Sequence, residues 1–175
     1  GSDEAAAITV SYSARLAHEP TLTVDVGEEW QARANRVNAL TTPLTLTTQS
    51  PTLDTMFRFA KLRAGESIFR TRNGDVHSPG GTSYYAAVWC NDQAEYAGPW
   101  QAWTGDELQL NAAYNAYAWY YPHMDDRYEP IPSSIIAEGL DYWHGAGDRG
   151  DAAMYLYGAS FFTLALGDRE IAKEL

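Results

Sequence analysis

Cysteine occurs once, at Cys90, so an intrachain disulfide is impossible and a C-x-x-C metal or redox site is excluded. Basic residues are scarce: 12 Lys and Arg stand against 23 Asp and Glu, for a formal net charge of -11 and a pI near 4.6. Nucleic acid and anionic membranes reward clustered Lys and Arg. Neither is an expected partner, and a neutral or cationic ligand fits better. No run of 18 apolar residues is present, so no membrane-spanning helix is expected. The sequence also lacks an internal repeat at a fixed period and any low-complexity tract.

Aromatic residues, by contrast, are abundant: 6 Trp, 12 Tyr and 5 Phe. They gather with polar side chains in the stretch Trp89-Cys90-Asn91-Asp92-Gln93-Ala94-Glu95-Tyr96, which continues through Pro99-Trp100 to Trp103-Thr104-Gly105-Asp106. Asn91, Asp92, Gln93 and Glu95 fill four of five successive positions. A segment that only filled a core would not concentrate such groups, because buried polar atoms need partners and a buried unpaired charge costs several kcal/mol, roughly.

The rest of the chain divides at residue 50. Ile8 to Ala14 and Thr21 to Val26 alternate apolar and polar residues as half-buried strands do. Glu29 to Leu40 reads as a strand or a short helix, with strand favoured, and Thr41 to Thr48 reads as extended. At Ser50-Pro51 the period changes: Ser50 suits a helix N-cap and Pro51 its first turn. Leu53, Met56, Phe57 and Ala60 then share one helix face, and Gly65 stops the helix. Residues 70–83 read as a loop carrying Arg70, Arg72, Asn73-Gly74, His77 and Pro79-Gly80-Gly81. Thr104 and Glu107 fit a capping box for a second long helix from Gly105 to Tyr120, ended by Pro122. Residues 125–132 are an acidic, proline-punctuated loop, and 133–147 short structure plus loop. A third helix is expected over Arg149 to Leu166, with Ala152, Ala153, Leu156, Tyr157, Ser160 and Leu164 on its inner face and Gly167 as its stop. Asp168-Arg169-Glu170-Ile171 starts a fourth.

Several features have a plain structural reading beside a functional one. Asp92 and Glu95 suit the N-terminal turn of a helix, with Arg70 or Arg72 as partner, as well as a pocket. His77 in a Pro-Gly loop suits a structural role. Asp148-Arg149-Gly150-Asp151 suits an N-cap with an internal ion pair. Cys90 suits a small buried residue, and the Trp and Tyr residues of 114–121 suit the core. Asp125-Asp126-x-x-Glu129 has the spacing of the acidic metal motif of helical terpene cyclases, but Pro122 and Pro130 break the helix that would align the acids. A solvated loop or a weak Ca²⁺ site is the alternative.

A family resemblance rests on Ser78-Pro79-Gly80-Gly81, Trp89-x-Asn91-Asp92-Gln93-x-Glu95-Tyr96, Ile131-Pro132-Ser133-Ser134 and Gly145-x-Gly147-Asp148-Arg149-Gly150-Asp151-Ala152-Ala153. Over residues 50–175 the chain resembles the bacterial six-hairpin glycosidases, which are (α/α)6 barrels. The run from Asp92 and Glu95 to Trp103-Thr104-Gly105-Asp106 is more distantly similar to the acid-bearing loop of α-L-rhamnosidases, where the Glu is the general acid. Here the Asp-to-Glu spacing is shorter and a Cys-Pro-x-Arg context is missing.

The resemblance implies a mostly α fold. Residues 1–49 would be a β-strand segment, the end of a β-sandwich domain and linker. Residues 50–175 would be the first helical hairpins of an (α/α)6 barrel in a larger enzyme. The implied activity is glycoside hydrolysis with no cofactor and no metal, and the alternative is a non-catalytic carbohydrate-binding or scaffolding barrel. Implied partners are an oligosaccharide or glycoside and the remainder of the barrel, or self-association through an uncovered apolar face. Gly1-Ser2 has the look of a cloning remnant, so the lack of a visible leader does not fix the compartment; a periplasmic or secreted bacterial setting is the expectation.

Glycoside hydrolysis needs one carboxylic acid to protonate the leaving oxygen and a second carboxylate, about 5 Å away as nucleophile or about 6.5–9.5 Å away as base. Asp92 and Glu95, three apart, would share a helix face with Cβ atoms roughly 5–6 Å apart. They read as one acid, with Glu95 preferred, plus a sugar-hydroxyl ligand. The second carboxylate would be Glu138, Asp141 or Asp148, or lie in the later half of the barrel. Trp89, Tyr96, Trp100 and Trp143 are candidates for stacking on sugar rings. Asn91, Gln93, His77, His144 and Arg149 are candidates for binding hydroxyls.

Overall fold

The computed structural model describes residues 8, 10, 12, 14–15, 17–79, 87–127, 129–136, 141–144 and 150–175. Residues 1–39 and 40–175 form two compact units. The chain is mostly helical, with a few short strands in small antiparallel sheets.

In the first unit the strand favoured for Glu29 to Leu40 is instead part of helix α1 (Val26–Thr41), and no strand is present among the described residues; Thr9, Ser11 and Ser13 of the strand expected over Ile8 to Ala14 lie outside them. The cause is local. The Asp25 side chain accepts hydrogen bonds from Gly27 N and Glu28 N, at 2.8 and 3.0 Å, and so caps the first turn. Glu28 and Glu29 follow at the positive end of the helix dipole. The apolar-polar alternation was a weaker signal than this cap.

In the second unit, α2 (Pro51–Glu66) begins where expected, with Ser50 accepting from Leu53 N and Pro51 in the first turn. Its inner face is not the predicted one. Leu53 and Met56 are 48% and 62% exposed, whereas Lys61 is fully buried. The Lys61 ammonium donates to the carbonyls of Thr41, Pro43 and Leu44, so α2 ties down the turn after α1. Gly65 faces the same way, and a Cβ there would collide with Leu40.

Residues 70–83 are not simply a loop. Ile68–Thr71 (β1) and Gly74–His77 (β2) form an antiparallel hairpin around Arg72-Asn73. Gly74 has φ 121°, which excludes most side chains, and the Asn115 amide donates to Asp75 O at 2.9 Å to hold the hairpin on the helix of residues 107–120. A second sheet joins β3 (Ala87–Trp89), β4 (Ser134–Ile136) and β5 (Asp141–Trp143) in that order, all antiparallel.

Between the sheets runs residues 90–103: α3 (Cys90–Asp92), a π turn (Gln93–Ala97) and α4 (Gly98–Trp103). Next comes α5 (Glu107–Tyr120). Its N-cap is Asp106, accepting from Gln109 N at 3.2 Å, and not Thr104, whose hydroxyl instead donates to Gln101 O at 2.9 Å. The cap is therefore displaced by two residues from the expected one, without a reciprocal side-chain bond from Gln109.

Helix α6 (Gly150–Leu166) ends at Gly167, φ 67°, and α7 (Ile171–Glu174) follows an Asp168 cap. The inner face of α6 is Tyr155, Gly158, Ala159 and Phe162. The face expected inside is largely outside: Leu156, Tyr157 and Leu164 are exposed, as are Ala153 and Ser160. A helix apolar all round offers no periodicity by which to choose. The core gathers Val76, Val88, Tyr117, Tyr120, Ile131, Ile135, Tyr155 and Phe162. Tyr117 and Tyr120 thus fill the core as expected from 114–121, with the Tyr120 hydroxyl donating to Val88 O at 2.8 Å.

Candidate active site

The polar run 91–95 is sorted by the helix that carries it. Gln93 turns inward, 1% exposed, and its amide donates to Gln101 Oε1 at 3.2 Å. Gln101 is equally buried and was not anticipated. The π turn adds one residue to the helical repeat, so Gln93 aligns with the residue eight on instead of seven. Asn91 and Glu95 are exposed, and Asp92 is half-buried between the two faces.

Both Glu95, three residues on, and Tyr96, four on, are helical neighbours of Asp92. Of the two it is Tyr96 that meets it: its hydroxyl donates to Asp92 Oδ1 at 2.6 Å. The phenol is raised above its ordinary pKa, first by burial, then by the bond to Asp92 and the nearby charges of Asp92 and Glu95. It stays protonated and stays a donor.

His77, at the end of β2, completes the cluster. Its ring stands edge-on to Tyr96, centroids 6.1 Å apart at 90°. It is 7% exposed, and burial pushes its pKa down to about 4 against the opposing pull of Asp92. His77 is therefore neutral at neutral pH. It neither carries charge to a ligand nor holds a proton ready to give.

His77, Tyr96 and Trp100 line one concavity of about 530 Å³, with Ala60, Arg63, Ala64 and Ser67 of α2 opposite and Pro79, Ala97 and Gln101 completing it. The volume falls in the usual range for small-ligand pockets, about 300–1,000 Å³. No carboxylate is among its described lining residues. Phe57 supports the Trp100 ring edge-on at 5.8 Å. Arg63, unanticipated in the site, bonds Glu66 at 2.6 Å on the rim.

Trp89 and Trp143 lie apart from that lining and pack on each other, centroids 5.4 Å apart. His144 is exposed just past β5. Asp141 belongs to β5 by its backbone; its side chain, together with Glu138, Asp148 and Arg149, lies outside the described residues.

Two other motifs resolve as structural. Asp151 is buried, accepts the Ser133 hydroxyl at 2.6 Å and receives the Cys90 thiol on its carbonyl at 3.3 Å. The Cys90 thiol is pushed up, first by burial and then by Asp151, so it is an inert small core residue. In the acidic loop Asp125 is held below the usual carboxylate range by the hydrogen bonds from Arg127, at 2.5 and 2.7 Å. This takes it away from the terpene-cyclase reading. Among the described residues no group of three His, Cys, Asp or Glu side chains converges on a metal position.

Compared with protein-family models, curated proteins and solved structures, the chain finds no match. Function has therefore to be read from the residues and their geometry.

Proposed function

We propose that residues 50–175 belong to an (α/α)6-type glycoside hydrolase in which Asp92 presents a carboxylate to the sugar. The single observation that carries this is the Tyr96 bond to Asp92 beside neutral His77, because Tyr96 and His77 both line the aromatic concavity. Tyr96 orients one oxygen of Asp92 and leaves the other to meet a sugar hydroxyl or an attacking water. Neither Asp92 nor Glu95 lines the concavity itself; Asp92 is preferred here because a lining residue holds it, while Glu95 is exposed. The second carboxylate required at about 5 or 6.5–9.5 Å is sought at Asp141, Glu138 or Asp148, or in further helices of the barrel. The exposed Leu156, Tyr157 and Leu164 of α6 would pack against those helices. The 175-residue chain is expected to be inactive alone.

One observation favours a second reading, a carbohydrate-binding barrel without catalysis: the described lining of the concavity has no carboxylate. The test is a panel of chromogenic glycosides with the intact protein. Asp92→Asn should cost at least about 100-fold in turnover, and Glu95→Gln should stay within about threefold of the parent. Full turnover by Asp92→Asn rules out its assignment. Sugar binding with no turnover of any glycoside establishes the second reading.

A further inference from the structure

The described lining of the concavity is one-sided in its chemistry. With His77 neutral, Arg63 is the only charged group in it, although the chain as a whole has a net charge of -11. Overall charge favours a neutral or cationic ligand. The α2 wall of the concavity favours the opposite.

The Arg63 guanidinium uses one nitrogen on Glu66, with Nη1 donating to Oε2 at 2.6 Å. Its Nε and Nη2 have no partner among the described residues. These two nitrogens share one edge of the planar group, and such an edge matches both oxygens of a carboxylate. The pair with Glu66 lies at the surface, side chains 66% and 26% exposed, where ion pairs are weak. Glu66 itself is absent from the lining. It steadies the guanidinium at the rim without closing the concavity.

Gln101 supplies a second donor, deeper in. It is 1% exposed yet belongs to the lining. Its Oε1 accepts from Gln93 Nε2 at 3.2 Å, which sets the orientation of the amide and leaves Gln101 Nε2 without a partner among the described residues. A buried N–H held without an acceptor costs free energy, and the concavity is where an acceptor can meet it. On the wall facing α2 the Tyr96 hydroxyl is committed to Asp92. An acid placed on that side would be repelled by the Asp92 carboxylate. The charges therefore give the ligand a direction.

We infer that the concavity takes a sugar acid, with its carboxylate on Arg63, an oxygen on Gln101 Nε2 and its glycosidic oxygen on the side of Asp92. This rests on the saccharide reading above and adds the substrate class to it. Arg63 and Gln101 are then the residues that set specificity.

The experiment is calorimetric titration of the intact protein with the methyl glycosides of glucuronic and galacturonic acid, each beside the neutral methyl hexoside of the same ring configuration. At least one acid should bind about tenfold or more tighter than its neutral counterpart. Arg63→Gln, at an exposed position, should bring the two level. Gln101→Glu keeps an acceptor for Gln93 and removes the donor, and should weaken the acid about tenfold or more. Neutral sugars bound as tightly as the acids overturn the inference and leave the saccharide reading standing, as does an acid preference that survives Arg63→Gln. A preference that survives Gln101→Glu removes Gln101 from the site. Binding of no sugar of either class removes both readings.

Discussion

The Tyr96 hydroxyl reaches Asp92 Oδ1 across a π turn, at 2.6 Å, and Glu95 lies on the outer side of the same helix. The phenol, itself in the lining of the concavity, is what ties Asp92 to it. Tyr96→Phe removes only the phenol oxygen and keeps the ring against His77. Because Tyr96 is half-exposed, the expected loss of stability is no more than about 1 kcal/mol, read as a small fall in denaturant midpoint. Turnover of whichever glycoside of the panel is hydrolysed should fall about tenfold or more, with KM little changed, because the lost bond orients the carboxylate. If Tyr96→Phe keeps full turnover, Asp92 is not positioned by the phenol.

His77 links stability to pH. Its folded pKa lies near 4, below the ordinary 6.5, because the buried site disfavours the charged ring. The unfolded chain therefore binds more protons between those two values. The stabilisation from keeping the ring neutral is fully present above about pH 6.5 and is lost as pH falls towards 4, amounting to about 3 kcal/mol at most. Unfolding free energy measured by denaturant titration from pH 7 to pH 4 should fall by that order. His77→Gln should flatten that part of the profile, and an unchanged slope in the variant assigns the pH dependence to other groups.

The legible part of the fold is the part written in local chemistry. Ser50-Pro51, Gly167 and Asp168 mark helix ends because a cap or a stop depends on a few adjacent residues. Inner faces were harder. In α2 the burial of Lys61 follows from three carbonyls at the end of α1, far away in sequence. In α6 the apolar residues surround the axis, so only packing against Tyr117 selects Tyr155 and Phe162. The site was legible as a set of residue types around Asp92. Its arrangement was not, since a π turn leaves no mark in hydrophobic spacing and the pairing of Gln93 with Gln101 and of Tyr96 with Asp92 depends on packing. Strands of three and four residues, such as β3 and β1, are likewise too short for an alternating pattern to announce.

Gly158 tests the packing behind the site. A Cβ there would lie 2.5 Å from Ala94 Cα, 2.7 Å from Ala94 Cβ and 2.7 Å from the Tyr117 hydroxyl. The first of these is backbone of the π turn, which cannot swing aside. Gly158→Ala should therefore destabilise by about 1–3 kcal/mol through overpacking, despite the helix propensity that alanine adds. It should also move Tyr96 and reduce turnover. A variant at least as stable as the parent would mean that α6 and the π turn are not packed as closely as described.

Lys61 makes a sharper case, because its replacement leaves acceptors behind. Lys61→Met keeps length and apolar stem but strands the carbonyls of Thr41, Pro43 and Leu44. Burial, together with the positive charge of Arg58, already pushes the Lys61 pKa below its ordinary value, so the ammonium is retained for its hydrogen bonds and not for ease of charging. The loss of three donated bonds to part-buried acceptors should cost about 1–3 kcal/mol, measured as a fall in unfolding free energy. Lys61→Arg should recover only part of it, since a planar fork cannot direct three donors to three carbonyls as a tetrahedral ammonium does. Ala60, Arg63 and Ala64 of the same helix line the concavity, so Lys61→Met should also weaken saccharide binding. Unchanged stability in Lys61→Met would show that those carbonyls find other donors, and that the position of α2 is set by its apolar contacts alone.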